Sequence, residues 1–146
     1  MDIINNLLSI FVAYGILDRW QRIGSKYYYI ERLEEVAWYE ALSKCQAIGG
    51  HLLSIKNQEE FDAIKCELDR EKHYWIDIND LTKEGEFISG ATGQKATYFN
   101  WHQTEPNNKN GNENCVELYY HNDKHLMNDD NCQEKELFIC EPNDQV

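Results

Sequence analysis

Apolar positions recur first at helical and later at strand spacing along the chain. Within residues 34–48, Trp38, Ala41, Leu42, Cys45 and Ile48 fall on one face at a helical step. This predicts a helix with Cys45 pointing inward, ended by Gly49-Gly50. Asn57 is placed to cap a second helix, with Glu60 three residues on as its box partner. Phe61, Ile64 and Leu68 mark the buried face of that helix, and Cys66 lies almost opposite, which predicts an exposed thiol. Residues 22–31 carry Tyr27-Tyr28-Tyr29-Ile30 and read as a strand. Residues 51–55, 73–79, 96–101, 115–120, 125–127 and 136–141 read as further short strands, with Trp75, Ile76 and Ile78 as core candidates. Two helices early and many short strands late predict an α+β fold. Between about residues 79 and 115 regular patterning is weak, and a connection that long is usually functional and needs something to order it.

Residues 7–17 read LLSIFVAYGIL, which is too short to span a bilayer. The stretch fits the apolar part of a secretory signal, with Ala13-Tyr14-Gly15 as a small-x-small cleavage site. Asp2 and the lack of Lys or Arg ahead of it count against a signal, and an N-terminal element of the domain is the alternative. The expectation is a signal peptide or N-terminal extension over residues 1–17.

A length of 146 residues predicts one domain with a real core. Charged residues make up 27% and hydrophobic residues 42%, an ordinary balance for a soluble globular chain. The formal net charge of -12 argues against nucleic acid, whose phosphates need a basic surface. Five cysteines, at 45, 66, 115, 132 and 140, include no C-x-x-C pair and no zinc-like spacing with histidine. An oxidising compartment, two disulfides and one odd thiol is the better reading, so the protein is expected to be secreted and extracellular. No Asn-x-Ser/Thr sequon occurs.

Candidate chemistry concentrates between Trp101 and Cys140. Glu105-Pro106-Asn107-Asn108-Lys109-Asn110-Gly111-Asn112-Glu113-Asn114-Cys115 is followed by Met127-Asn128-Asp129-Asp130-Asn131-Cys132. Runs of Asn, Asp and Gly are most often solvated loops. Here, though, Pro106 sits between two candidate ligands, and Cys115 and Cys132 bracket both pieces. Hard cations such as Ca²⁺ take six to eight oxygen ligands, and Glu105, Asn107, Glu113, Asn128 and Asp129 could supply such a shell.

The assembled pattern resembles the C-type lectin domain, and its phrasing resembles secreted insect lectins of the mannose type. Cys45 on the first helix and Cys140 in Phe138-Ile139-Cys140-Glu141 stand at the family's outer disulfide; Cys115 and Cys132 stand at its inner one. Trp75-Ile76-Asp77-Ile78 stands at the family's Trp-Ile-Gly-Leu signature, followed by Glu84-Gly85-Glu86-Phe87. Glu105-Pro106-Asn107 matches the sugar-specifying triplet, and Asn128-Asp129 the second half of the calcium site. The resemblance covers residues 24–142. It implies two helices, two small antiparallel sheets, a long calcium-ordered loop region and the disulfides Cys45–Cys140 and Cys115–Cys132. It also implies one Ca²⁺ held by Glu105, Asn107, Glu113, Asn128 and Asp129, binding vicinal hydroxyls of mannose, GlcNAc or fucose on glycans or glycoproteins. The galactose type of the family carries Gln-Pro-Asp instead, which reverses donor and acceptor. Asp77 departs from the usual Gly, and Met127 from the usual Trp. An auxiliary calcium site would use Asp80, Glu84, Asn108, Glu113 and Asn114; amides at 108 and 114, often Asp in members that fill it, predict a weak one. No cysteine precedes Cys45, so the chain resembles the family's short form.

An enzyme is not expected. His121-x-x-x-His125 lacks the Glu of a His-Glu-x-x-His helix, and no nucleophile elbow occurs. The alternative function is a calcium-ordered protein-binding module on the same fold without sugar activity. One shallow sugar site gives weak binding, so a dimer linked through Cys66 would add avidity.

Overall fold

The computed structural model describes residues 19–143; the expected signal segment lies outside them. One late strand, β8 (Leu137–Pro142), ties the chain together. It pairs antiparallel with β2 (Lys26–Ile30) and β3 (Gly50–Leu52), and parallel with β4 (Tyr74–Asn79). Outward from β2 lies β1 (Gln21–Ile23). On the far side, β4 carries β5 (Ile88–Ser89) and β6 (Cys115–His121), and β6 carries β7 (Lys124–Asp130). The order is therefore β1-β2-β8-β4-β6-β7. Two antiparallel sets exist as expected, and the parallel pairs Tyr74↔Leu137 and Trp75↔Phe138 join them into one sheet path. Among the described residues no helix is long and apolar enough to cross a membrane.

The first helix, α1, runs Trp38–Ala47, starting with the apolar stripe rather than at residue 34 as expected. Val36 is drawn instead into a bridge with Glu136, giving and receiving backbone hydrogen bonds at 2.8 and 3.0 Å. Trp38, Ala41 and Cys45 are buried as predicted, and Gly49 ends the turn at φ +86°. A side chain on Gly50 would meet the Glu141 carbonyl at 2.3 Å, so glycine is what lets β3 lie against β8.

The second helix, α2 (Gln58–Lys65), is capped by Asn57, whose side chain accepts from Glu60 N at 2.9 Å. The reciprocal arm of the box goes elsewhere. Glu60 Oε2 lies 3.4 Å from both the Lys56 N–H and the Lys26 ammonium, because the opposite charge on β2 competes for it. Residues 96–101 do not form the expected strand. Isolated bridges stand just before and at the end of this stretch, Lys95 at Ile88 and Trp101 at Met127, and no continuous ladder runs beside it. At the β6–β7 turn, Asn122 and Asp123 take φ +51° and +62°, a pair of left-handed residues suited to a two-residue hairpin.

Two packed cores result. One lies between α2 and the sheet and includes Phe61, Ile64, Tyr74, Ile76, Val116 and Met127. The other gathers Trp38, Trp75 and Phe138 around both disulfides, Cys45–Cys140 and Cys115–Cys132. Its two indoles are bonded in opposite senses: Trp38 Nε1 donates to Ile76 O at 2.8 Å, and Trp75 Nε1 to Val36 O at 2.9 Å. Both departures from the family signature are accommodated. Asp77 is buried, accepts from Ser89 Oγ and from Ala91 N at 3.1 Å, and so anchors the turn after β5. Met127 fills its place in the core, and its sulfur receives Asn100 N at 3.4 Å.

Candidate functional site

The oxygen-rich residues converge because β7 passes under the 105–114 loop. Asp129, 1% exposed, is the anchor. Its two carboxylate oxygens accept from Asn107 N at 3.0 Å and Asn108 N at 2.8 Å. Charge-assisted bonds of this kind are about twice as strong as neutral ones. The loop then knits itself together. Lys109 N donates to Asn107 Oδ1 at 3.0 Å and to Glu113 Oε1 at 2.7 Å, and Glu113 N donates to Asn108 Oδ1 at 3.1 Å. Asn108 and Asn110 adopt φ +43° and +61°, which asparagine tolerates better than most residues. The asparagine richness therefore has a backbone role as well as a donor-atom role.

Glu105 stands across a cis peptide bond from Pro106. Its Oε1 accepts from Asn107 Nδ2 at 3.0 Å, while its Oε2 is buried with no partner. Burial, then the neighbouring Asp129 and Glu113, push the Glu105 carboxyl up to about 7. Glu113 is likewise raised by burial, with Asp129 and Asp130 adding to it. Asn128, on β7, turns its amide nitrogen to Glu117 Oε1 at 3.1 Å. Four of the five expected ligands are thus linked around Asp129, and Asn128 joins from the same strand. An unpartnered buried oxygen and crowded carboxylates are the features a hard cation would relieve, so these residues fit Ca²⁺.

The auxiliary set is assembled differently. Asp80 is buried and accepts from Gly85 N at 2.9 Å. Asn114, with its amide nitrogen turned toward the acids, donates to Asp80 Oδ1 at 3.1 Å and Glu84 Oε2 at 3.2 Å. Asn108 points its oxygen at Glu113 rather than at this pair.

Two groups escaped sequence reasoning. Phe99 and Trp101 stack with ring centroids 5.6 Å apart, and Phe87 tilts onto Trp101 at 5.1 Å. Together with Pro106 they border an open cleft of about 370 Å³ beside the triplet. Tyr98, Phe99 and Trp101 read as strand residues by composition, and that composition does not distinguish a strand from an aromatic cluster. The second group is Glu117, Asp130 and Glu136, whose oxygens lie within 4.8 Å of one another. Burial raises all three, Glu117 well above the usual carboxylate range and Glu136 to about 7. No sequence spacing marks them, since strand register alone brings them together. Cys66 is exposed and unpaired as expected, with its thiol donating to Asp62 O at 3.3 Å.

Comparison with known proteins gives this geometry a lineage. The chain is similar to C-type lectin 37Db of Drosophila melanogaster, at 40% identity over 83% of this chain and 80% of that protein. It is similar to salivary C-type lectin 2 of Aedes albopictus, at 34% identity over 92% and 96% of the two chains. Among solved structures, the cow carbohydrate-recognition domain of CD23, determined in the presence of GlcNAc2Man3 oligosaccharide, superimposes with a TM-score of 0.74. It is 31% identical, covering 84% of this chain and 92% of that one. The family described as the lectin C-type domain matches residues 34–142, which takes in both disulfides, the Glu105 triplet and the Asn128-Asp129 pair; the chain belongs to the C-type lectin domain family.

Proposed function

We propose that the chain is a calcium-dependent carbohydrate-binding protein that takes vicinal diols of the mannose, GlcNAc and fucose type. The family is one of carbohydrate-binding modules rather than enzymes. The observation that carries the finer reading is the meeting of the Glu105-Pro106-Asn107 triplet with Asp129, 22 residues beyond Asn107, with Glu105 Oε2 buried and unpartnered beside it.

Glu105, Asn107, Glu113, Asn128 and Asp129 would hold the ion. Bound there, Ca²⁺ supplies coordination positions that accept lone pairs from two adjacent hydroxyls. The side chains do the rest. A hydroxyl offers one proton and two lone pairs. Glu105 accepts the proton, and Asn107 donates to the second lone pair. In the free protein these two side chains satisfy each other at 3.0 Å. A hydroxyl can therefore replace each as the other's partner without orphaning either, which is the condition for low desolvation cost. The order acceptor, proline, donor selects the diol geometry. At Asp80, Glu84, Asn108, Glu113 and Asn114 a second ion would bind weakly, because the amides at 108 and 114 bring no charge to it. The two disulfides and the salivary relative support secretion. Exposed Cys66 suits a disulfide-linked dimer.

Retention on mannose-agarose in Ca²⁺, with release by EDTA, is the expected result. Glu105→Gln combined with Asn107→Asp should shift retention toward galactose; persistence of mannose preference in that variant would overturn the polarity argument. Calcium uptake with no retention on any monosaccharide would favour the protein-binding alternative.

A further inference from the structure

Three carboxylates that the candidate sugar site does not use meet behind it. In the β6–β7 ladder Glu117 faces Asn128 and Cys115 faces Asp130. Alternation along each strand then sets Glu117, Asn128 and Asp130 on one face of the hairpin. Glu136 is brought to the same place by its two backbone bonds to Val36. The three acids each offer an oxygen within 4.8 Å of the others. Glu117 is only 1% exposed; its Oε1 takes the Asn128 amide at 3.1 Å, and its Oε2 is buried without a partner. Among the described residues no lysine or arginine pairs with any of the three. Lys72, whose charge reaches Glu136, is committed to Glu35 at 3.6 Å.

Clustered buried carboxylates are costly unless protons or a cation neutralise them. Protons would account for their charge, but leave unexplained why Glu117 keeps a buried oxygen without a donor beside two other acids. Three carboxylates with a half-buried mouth formed by Asp130 and Glu136 supply three of the oxygen ligands that a hard divalent ion takes, with the mouth open to water for the rest. We propose that Glu117, Asp130 and Glu136 form a further divalent-cation site of the calcium class, distinct from the Glu105–Asp129 and Asp80–Asn114 sets and joined to the former through Asn128. Asn128 would then report each site to the other, since its nitrogen is held by Glu117 while its oxygen remains for the sugar-site ion. The proposal goes beyond the sugar-binding reading and does not depend on it.

The test is a Ca²⁺ titration of the full chain by calorimetry, paired with thermal unfolding in Ca²⁺ and in EDTA. Glu136→Gln and Glu117→Gln should each bind one equivalent fewer than wild type. Glu136→Lys puts an ammonium where the ion would sit. It should also bind one fewer, unfold at a higher temperature than wild type in EDTA, and gain less from added Ca²⁺. Equal stoichiometry in all four proteins, with unchanged calcium-induced shifts, would overturn the proposal. Glu105→Gln separates the two readings. If it removes no equivalent while Glu136→Gln removes one, the sugar-site assignment fails and this one stands. If Glu105→Gln removes the only equivalent and Glu136→Gln none, the reverse holds.

Discussion

Two regions flanking β4 and β6 are built on opposite principles. Around Trp38 and Trp75, both indole N–H groups donate to backbone carbonyls, and two disulfides close the apolar cluster. Around Asp129 the backbone is equally well bonded, yet buried oxygens of Glu105 and, further back, Glu117 are left without partners. The first region is closed by apolar contact and covalent bridges. The second is well bonded in its backbone but leaves crowded carboxylate oxygens unpaired, an arrangement a cation would relieve. Holding carboxylates in such crowding is unfavourable, and the braced neighbour is what tolerates it. β6 serves both regions: Cys115 ties it to Cys132, and Glu117 leads it toward the acids.

The largest effect expected from breaking this division is Cys45→Ser. The Cys45–Cys140 bridge spans 95 residues, and loop-closure entropy for that span is about 4 to 5 kcal/mol. Urea unfolding should show that loss, while sugar retention persists at temperatures where the variant stays folded. Loss of retention in the folded variant would show that the two regions are not separable. Next is Asp129→Asn. An amide nitrogen facing the Asn107 or Asn108 N–H leaves a donor unsatisfied, at a cost of about 1 to 3 kcal/mol. Here the order inverts: retention on mannose should vanish, with the global transition moved far less than by Cys45→Ser.

A pH series sharpens the contrast further. In the metal-free protein Glu105 and Glu136 are each raised from 4.5 to about 7. A raised carboxyl binds its proton more tightly in the folded state, so stability falls as pH rises from the unfolded value toward 7. His73, His102 and His125, each lowered by burial, act in the opposite direction over part of that range. Of these titrating groups, the proposed calcium sites would engage the carboxylates and not the histidines. The gap between unfolding temperatures in Ca²⁺ and in EDTA should therefore widen from pH 5 to pH 8; a constant gap would count against carboxylate ligation. The smallest effect is Cys66→Ser, expected within about 0.5 kcal/mol for an exposed position. Its readout is a non-reducing gel, where the wild type should run as a dimer and the variant as a monomer.

Much of this division was legible before folding. Helical spacing alone separated inward Cys45 from outward Cys66, because a side chain's direction on a helix follows from its position. The cap at Asn57 was equally local. Two local readings failed for one reason. The helix expected from residue 34 starts at Trp38 because Val36 pairs with Glu136, a hundred residues away. Residues 96–101 have strand-like composition but no continuous neighbour to pair with. Strand identity depends on partners, and partners are not written in a segment's own residues.

The same line divides the site. Residue type and order determined which oxygens were available, since donor chemistry belongs to each side chain: Glu105, Asn107, Glu113, Asn128 and Asp129 could be named from the chain alone. Tertiary structure decided how they are used. It made Asp129 an anchor for two backbone amides and set the Asn114 amide between Asp80 and Glu84. It also gathered Glu117, Asp130 and Glu136 from two strands and a loop. These outcomes depend on the register between β6 and β7 and on the bridge to Val36. Distance across a sheet is set by pairing, which no spacing along the chain encodes.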